Sequence, residues 1–501
     1  MEARSSICTA PAPNEVGESF YCLESSEGDS LRHVFHANGS IYRGIDSEHA
    51  ETVHQLFDSG LVGELVADGL MTTSFLVDSG IAGYSISVHQ PDLTPPSLPS
   101  EMPPSMRRDA GTAMVRMARM LDGKGFALRD ADLSGFVADR HGRPVFHNLA
   151  GILPKASRKF PYAEFHANFL GPLRLIAQRP ELAALVQRAG TIGTDEDMSI
   201  RRPWLRGALR QISRLGKPGQ RLFEAYRRLS VLSPFGGLLH SGLIGTLIRE
   251  LIREQRNRTR FGSEVEPQWT GTLLDELEKR LEKLEFDRVA QRWTNYHQNV
   301  DLASIVRAGD GWKQYFEGGR EKALIRVLSE ISPGTLLDVG ANGGYFSMLG
   351  AHLGFTTTAV DFDIGAIDRL YCLLKKAGSP LPIRPFVLDF VTLEQRHWAR
   401  FEADVVFALG FVHHMRRVEL LPWDVIVERL SGISRKILVT EFKPGTGASY
   451  SKQEMTEANS DDYTLEHLVT ALKRHFPSVE VVGDFTAVGS ISPRTMVVCR
   501  R

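Results

Sequence analysis

Residues 336–347, LLDVGANGGYFS, decide the fold of the C-terminal part of this 501-residue chain. The apolar run from Thr335 to Val339 predicts a short buried strand, and the run from Phe346 to Leu353 predicts the start of a helix. Between the two runs the chain crowds three glycines and an asparagine. A strand that turns sharply into a helix through glycines is typical of nucleotide-binding folds.

From about residue 300 onwards, the sequence alternates between strand and helix patterns. The seven candidate strands are Leu336–Val339, Thr356–Val360, Ile383–Leu388, Ala403–Ala408, Ile437–Phe442, Val479–Val482 and Arg494–Val498. Helical segments separate most of them, which predicts an α/β fold with a largely parallel sheet covered on both faces. No helix separates the last two strands, so we expect them to form an antiparallel pair.

The glycine turn does not have the spacing of a dinucleotide site. Its order, Gly340-Ala341-Asn342-Gly343-Gly344, fails GxGxxG at the second and third glycines. A dinucleotide brings a pyrophosphate that binds helix-terminal amides, whereas S-adenosylmethionine (SAM) brings an amino acid, a sulfonium and an adenosine. Asp338, two residues ahead of Gly340, matches the acid-x-Gly turn of SAM-dependent methyltransferases. The small residues Gly340, Asn342 and Gly344 let the backbone lie against such a ligand, and Asp338 would orient the turn and attract the ligand's ammonium group.

Acidic residues follow the next strands in the order that an adenosine requires. Asp361 ends the second strand, where a carboxylate accepts both ribose hydroxyls, and Asp363 is a less suitable substitute. After the third strand, Asp389 offers an acceptor for the adenine amino group, with Phe390 beside it to pack on the ring. Leu409, after the fourth strand, completes the predicted cofactor-binding set.

These motifs resemble the class I SAM-dependent methyltransferases and, more narrowly, a bacterial family that includes the nodulation host-specificity proteins. The resemblance rests on LLDVGANGGYFS, AVDFD, DVVFALGFVHHM, ILVTEFKP and DDYTLEHL, together with the upstream RWTNYHQ. It implies a Rossmann-like seven-stranded domain, SAM as cofactor and a small-molecule acceptor, methylated at oxygen, with nitrogen or a carboxylate left open. The pathway it implies is bacterial specialised metabolism or glycolipid decoration. In the narrower family, cysteine is common at position 341 and threonine at position 343.

Three side chains are candidates for catalysis at the same edge of the sheet. His413 and His414 come just after the fourth strand, where a histidine can take a proton from a hydroxyl near neutral pH. Their alternative role is packing or hydrogen bonding. Glu441 ends the fifth strand, and its alternative role is to cap a helix or order a loop.

The front half resembles the catalytic-loop region of protein-kinase-like folds between residues 126 and 152. Arg129-Asp130 fits the start of that loop, but Gly135 stands where the pattern needs asparagine and Asn148 where it needs the metal-binding aspartate. Because both metal ligands are missing, the interpretation is a degenerate kinase-like remnant retained for substrate capture or as scaffold. The predicted domains are a disordered N-terminus (1–16), an α+β kinase-like domain (17–154), a helical linker or substrate segment (155–298) and the methyltransferase domain (299–501).

The composition limits which classes of partner the sequence predicts. The formal net charge of −1 gives no general electrostatic case for nucleic acid. The four cysteines lack CxxC spacing, which favours reduced thiols in a cytoplasm and predicts no metal site. The most apolar stretch, 235–252, contains charged residues and is too short to span a bilayer. The sequence contains no signal for the oligomeric state.

A second interpretation of the whole chain is a non-catalytic SAM-binding scaffold or partner-binding protein.

Overall fold

A computed structural model describes residues 21–22, 34–37, 40–78, 83–90, 97–155, 160–189, 271–393, 395–444, 462–486 and 493–501. The predicted disordered N-terminus and the apolar stretch 235–252 lie outside the described residues. Contacts divide the described part into two compact units, one ending at Val289 and the other starting at Ala290. The four-part domain division made from the sequence stays a prediction. In the described part of the chain, no helix is both long and apolar enough to cross a membrane.

The first unit is built on a five-stranded antiparallel sheet with the order β1-β2-β3-β5-β4. Two further antiparallel pairs, β6 with β9 and β7 with β8, bracket the kinase-like loop. The strands are β1 (Tyr21–Cys22), β2 (Val34–Ala37), β3 (Ser40–Ile45), β4 (Phe75–Asp78), β5 (Ile86–Gln90), β6 (Phe126–Leu128), β7 (Phe136–Ala138), β8 (Pro144–Phe146) and β9 (Ile152–Pro154).

The helices of the first unit follow the apolar periodicity of the sequence. They are α1 (Ser47–Asp58), α2 (Leu61–Ala67), α3 (Pro104–Gly123), α4 (Tyr162–Phe165), α5 (Gly171–Gln178), α6 (Ala183–Ala189) and α7 (Gly271–Glu282). In α7, leucines at helical spacing bury one stripe, Leu274, Leu277 and Leu281. Glu278, half-buried beside this stripe, forms ion pairs with Arg116 and Arg119 of α3.

The second unit contains the seven-stranded sheet that the sequence predicts. Its strands are β10 (Thr335–Val339), β11 (Thr356–Asp361), β12 (Ile383–Val387), β13 (Ala403–Ala408), β14 (Ser434–Phe442), β15 (Ser478–Thr486) and β16 (Pro493–Arg500). They are ordered β12-β11-β10-β13-β14-β16-β15. The first five are parallel and the last two form the expected antiparallel pair. The Rossmann-like fold implied by the resemblance is therefore confirmed.

Helices connect these strands. They are α8 (Leu302–Arg307), α9 (Gly319–Leu328), α10 (Tyr345–His352), α11 (Ile364–Ala377), α12 (Val412–Arg417), α13 (Trp423–Gly432) and α14 (Leu465–Lys473). The central strands β10 and β13 are almost entirely buried, as their continuous apolar sequences require. Because β10 to β14 run parallel, their carboxyl ends meet at one edge. The candidate site residues all belong to that edge or to the turns that follow it.

Candidate active site

The glycine turn after β10 depends on left-handed backbone. Gly340, Asn342 and Gly344 have φ of +78°, +50° and +81°, a region that glycine enters freely and asparagine tolerates. A Cβ on Gly344 would lie 2.7 Å from Leu370 Cδ1, so a side chain there would displace Leu370 as well as strain the backbone. The Gly340 amide donates to the Val360 carbonyl at 2.9 Å, which fixes the turn against β11.

Asp361 joins the end of β11 to the glycine turn. Its Oδ2 accepts the Asn342 amide at 2.9 Å, and its Oδ1 accepts the Asp363 amide at 2.9 Å. Burial raises the pKa of this carboxyl to about 7, although the two backbone hydrogen bonds oppose the rise. A carboxylate has about four acceptor positions. Asp361 therefore retains acceptor capacity for a ligand beside the turn.

Asp363 has a different use. Its Oδ1 accepts the Ala366 amide and caps α11, and it also accepts the Thr294 hydroxyl at 2.5 Å. Its Oδ2 accepts the Trp293 amide at 2.9 Å. Asp363 accepts three hydrogen bonds against two at Asp361 and is fully buried, so the geometry favours Asp361 over Asp363 as the ribose ligand. An aspartate in front of an apolar helical run is a recognisable N-cap signal.

The upstream motif RWTNYHQ forms one wall of the glycine turn, as consecutive turns rather than a helix. Asn342 Nδ2 donates to the Trp293 carbonyl at 2.7 Å, and the Gly343 amide donates to His297 Nδ1 at 3.3 Å. Burial lowers the pKa of His297 to about 4, so the ring is neutral and accepts this bond. No sequence signal singled out His297, because the contact joins residues 46 positions apart.

Asp338 lies beneath the turn. Its carboxyl is buried and accepts the Ser347 hydroxyl of α10 at 2.6 Å. Burial raises the pKa of this carboxyl to about 6, against the lowering effects of that bond and of the Arg320 charge. The contact with α10 suits the predicted role of orienting the turn, and the contact with a ligand ammonium group stays a prediction.

Residues predicted for the adenine side lie at the same edge. Asp389 is half-buried, and its Oδ1 accepts the Val391 amide at 3.1 Å. Phe390 is buried and meets Phe411 edge to face, with 5.6 Å between ring centroids. Phe411 also contacts Gly340, because a Cβ there would lie 3.1 Å from its ring. Phe390, Phe411 and the turn thus form a continuous surface, and Leu409 is buried beside Gly410.

A buried ion cluster stands at the end of β14. Both oxygens of Glu441 bind the Arg320 guanidinium, with 2.7 Å between Oε2 and Nη2. Oε2 also accepts the Gly410 amide at 3.0 Å and lies 3.4 Å from Arg494 Nη1. Both oxygens of Glu441 are thus engaged by groups of the protein. The geometry therefore favours the alternative for Glu441, which is to order the loop after β13.

His413 is buried on α12, and its Nδ1 has no hydrogen-bond partner among the described residues. The pKa of its ring is lowered well below the ordinary value, first by burial and then by the charges of His414, Arg494, Lys443 and Arg417. It is therefore neutral near pH 7 and chemically able to take a proton. The ring of His414 packs against it at a tilt of 40°, with 4.0 Å between ring centroids, and the ring of Trp293 meets His414 edge to face at 5.0 Å.

No protein-family model matches the chain. The chain is similar to the nodulation protein NoeA of Rhizobium meliloti (strain 1021), with 23% identity over 496 residues that cover 93% of each protein. This match confirms the resemblance to nodulation proteins and extends it to nearly the whole chain.

Two solved structures are similar to parts of the chain. The bifunctional kinase-methyltransferase WbdD matches at 18% identity and a TM-score of 0.28 over 40% of this chain and 39% of that one. The N-terminal domain of EvdMO1, crystallised with S-adenosylhomocysteine (SAH), matches at 16% identity and a TM-score of 0.27 over 40% of this chain and 81% of that one. The match to WbdD thus spans about two fifths of its length.

Proposed function

We propose that this protein is a SAM-dependent methyltransferase that acts on a small-molecule acceptor. The observation that supports this function best is the buried Asp361 carboxylate, which ends the second strand of a Rossmann-like sheet and accepts an amide of the glycine turn. The turn lacks the spacing for a pyrophosphate, so a phosphate-free adenosine is the ligand that suits it. The similarity to a nodulation protein supports a bacterial pathway such as specialised metabolism or glycolipid decoration.

Each part of the edge has a task in this proposal. Asp361 accepts the ribose hydroxyls, and Asp389 with Phe390 holds the adenine. Gly340, Asn342 and Gly344 let the backbone approach the amino-acid part of the ligand, Asp338 orients the turn, and Leu409 closes the adjoining strand end. When bound, SAM supplies a methyl group activated by its sulfonium. The protein holds the acceptor in line with this methyl group and excludes water.

An acceptor hydroxyl must lose its proton as it attacks. His413 is neutral and lies after β13 at the carboxyl edge, so it takes that proton in the proposed mechanism, with His414 packed against it. Oxygen is the proposed acceptor atom; an amine would need the same base, and a carboxylate would need none. Glu441 serves to position the Gly410 loop rather than to remove protons.

Calorimetric titration with SAM and SAH tests the cofactor assignment. Asp361→Ala should weaken both ligands about 100-fold, because charged hydrogen bonds to the ribose are lost. Asp404→Ala is the matched control: Asp404 also accepts a backbone amide, that of Thr335 at 3.0 Å, but at the amino end of the sheet. The affinity of the Asp404→Ala protein for SAH should stay within about twofold of the wild-type value. Wild-type protein that binds neither ligand would refute the assignment.

Catalysis is tested separately from binding. Wild-type protein incubated with methyl-labelled SAM and a small-molecule extract of the source cells should transfer label to a discrete compound. Asp361→Ala should abolish the transfer. If wild-type protein binds SAH but labels no compound in the extract, the non-catalytic scaffold becomes the better description.

A further inference from the structure

Arg494, which no sequence pattern singled out, lies at the carboxyl edge of the sheet. It is the second residue of β16, whose antiparallel direction brings its first residues to the carboxyl ends of the parallel strands. The residue is 7% exposed. A Cβ on Gly410 would lie 2.5 Å from its Nη1, so the guanidinium occupies the space that a side chain at position 410 would fill. Glycine at position 410 thus lets the cation approach the loop after β13.

The hydrogen bonds of Arg494 are few for a buried guanidinium. Nη1 lies 3.4 Å from Glu441 Oε2, and Nη2 lies 3.4 Å from the Tyr296 hydroxyl, both at the long limit for a hydrogen bond. Nε has no partner among the described residues. A guanidinium has five N–H donors, so most of its donor capacity is not used by the residues that the structure describes.

The charges of the cluster do not balance. Glu441 is bound through both oxygens by Arg320, which leaves Arg494 as a second cation against one carboxylate. A buried charge without a full partner is unfavourable. The charges of Arg494, Lys443 and Arg417 also act on His413, whose Nδ1 has no partner among the described residues. Two guanidinium groups therefore share one carboxylate at the end of β14.

We propose that Arg494 forms an anion subsite beside Gly410 that binds a carboxylate or phosphate group of the methyl acceptor. The planar fork of a guanidinium matches two oxygens of such a group. The inference rests on the proposed function, since the sulfonium of SAM adds a further positive charge at this edge. An anionic acceptor offsets that charge, and a neutral acceptor does not.

The same chemistry has a second source, because the amino-acid part of SAM carries a carboxylate of its own. The two sources are separated by comparing SAH with 5′-methylthioadenosine, which lacks the amino-acid part. If Arg494 bound the cofactor carboxylate, Arg494→Met would weaken SAH about 10- to 100-fold and leave methylthioadenosine unchanged. If it binds the acceptor, both ligands keep their affinity.

The subsite itself is tested with inorganic phosphate and acetate as probes. Each is titrated at constant ionic strength into the full-length protein, with and without saturating SAH, and binding is followed by tryptophan fluorescence. Arg494→Met removes the charge and Arg494→Lys retains it. Arg500→Met is the matched control on the same strand, because Arg500 pairs with the surface acids Glu330 and Glu480. Thermal unfolding checks that each variant folds.

We expect one of the two probes to bind the wild-type protein, with about 10- to 100-fold weaker binding in Arg494→Met, partial recovery in Arg494→Lys and no change in Arg500→Met. If the wild-type protein binds a probe but not SAH, and Arg494→Met loses the probe, the result supports the subsite and refutes the cofactor assignment. The inference is overturned if neither probe binds the wild-type protein or if Arg494→Met binds the probe as tightly as wild type does. It is also overturned if Arg494→Met loses affinity for SAH but not for the probe.

Discussion

Two buried histidines, one in each unit, lie near an arginine and differ in what their rings contact. In the first unit, His147 Nδ1 receives Arg43 Nη2 at 3.0 Å, and Nε2 lies 3.1 Å from the Ser134 carbonyl. Burial and the Arg43 charge lower the pKa of this ring to about 3. In the second unit, His413 Nδ1 has no partner in the described part of the chain. The first histidine is fully used by the fold and the second is not.

The difference teaches which buried polar groups indicate a site. Both rings are held neutral by burial and a nearby cation, so neither the pKa nor the burial separates them. Unused hydrogen-bonding capacity does, because buried polar atoms in folded proteins normally have partners. Around the kinase-like loop, a Cβ on Gly135 would lie 2.7 Å from the Phe146 ring. The asparagine that a kinase places there has no room, which supports a structural role for this region.

Replacement of the two histidines gives the largest expected contrast. His413→Ala should lower methyl transfer to the extract acceptor about 10²- to 10⁴-fold, the range for loss of a general base. SAH affinity should stay within about twofold. His147→Ala should leave both quantities unchanged in the folded fraction, because its ring serves the first unit. Equal turnover in wild type, His413→Ala and His414→Ala would remove histidine from the mechanism.

Removing the carboxylate of the buried ion cluster should destabilise the protein more than removing a carboxylate from a surface ion pair. Glu441→Ala leaves the guanidinium groups of Arg320 and Arg494 buried without their carboxylate, and we expect a loss of about 3–5 kcal/mol. Glu330→Ala removes a partner of Arg500 at the surface and should cost less than about 1 kcal/mol. Both stability losses are measured by urea denaturation, from the transition in which the second unit unfolds. Equal losses in the two variants would show that burial of the cluster contributes nothing.

The sheet could be predicted from the sequence because its signals are local. Apolar runs of strand length, punctuated by glycines and helical periodicity, located all seven strands of the second unit. The largest error is at β15, which ends at Thr486 rather than at Val482. The next largest is at β14, which begins at Ser434 rather than at Ile437. The exposed residues Arg435 and Lys436 hide the apolar pattern there, although the backbone already pairs with β13.

The site was predictable only where one residue carries its own signal. Asp361 could be located because an acid at a strand end is a local feature. The partners of Glu441 could not, since Arg320 lies 121 positions away and Arg494 lies 53 positions away. Arginines at such separations have no pattern that links them to one carboxylate before the sheet order is known. The anion subsite is therefore visible only in the folded chain.

A smaller effect tests the structural role of the kinase-like loop in the first unit. Gly135→Ala places a Cβ against the Phe146 ring, and we expect overpacking to cost about 1–3 kcal/mol. Gly123→Ala is the control, because nothing lies within 4 Å of its Cβ position at the end of α3. Both variants should bind SAH like wild type. A Gly135→Ala protein of normal stability but weaker SAH binding would contradict the structural role.

The smallest effect is the pH dependence of cofactor binding. The ligand-free pKa of Asp361 is raised to about 7 by burial, and a ribose is bound best by the ionised carboxylate. SAH affinity should therefore fall about tenfold for each pH unit below 7, measured by calorimetry between pH 7.5 and 5.5. Stability of the ligand-free protein should change in the opposite direction. A carboxyl whose folded pKa is raised stabilises the fold below its unfolded pKa of 3.8, and this contribution is lost as pH rises through about 7.

Asp338 titrates in the same window, because burial raises the pKa of its carboxyl to about 6, whereas the pKa of His297, near 4, lies below it. Asp361→Asn separates the two acids. The variant should lose the part of the affinity change centred near pH 7 and retain any part centred near pH 6, which would then belong to Asp338 and the ligand's ammonium group. SAH affinity that stays constant from pH 7.5 to 5.5 in wild type would mean that neither carboxylate contacts the cofactor.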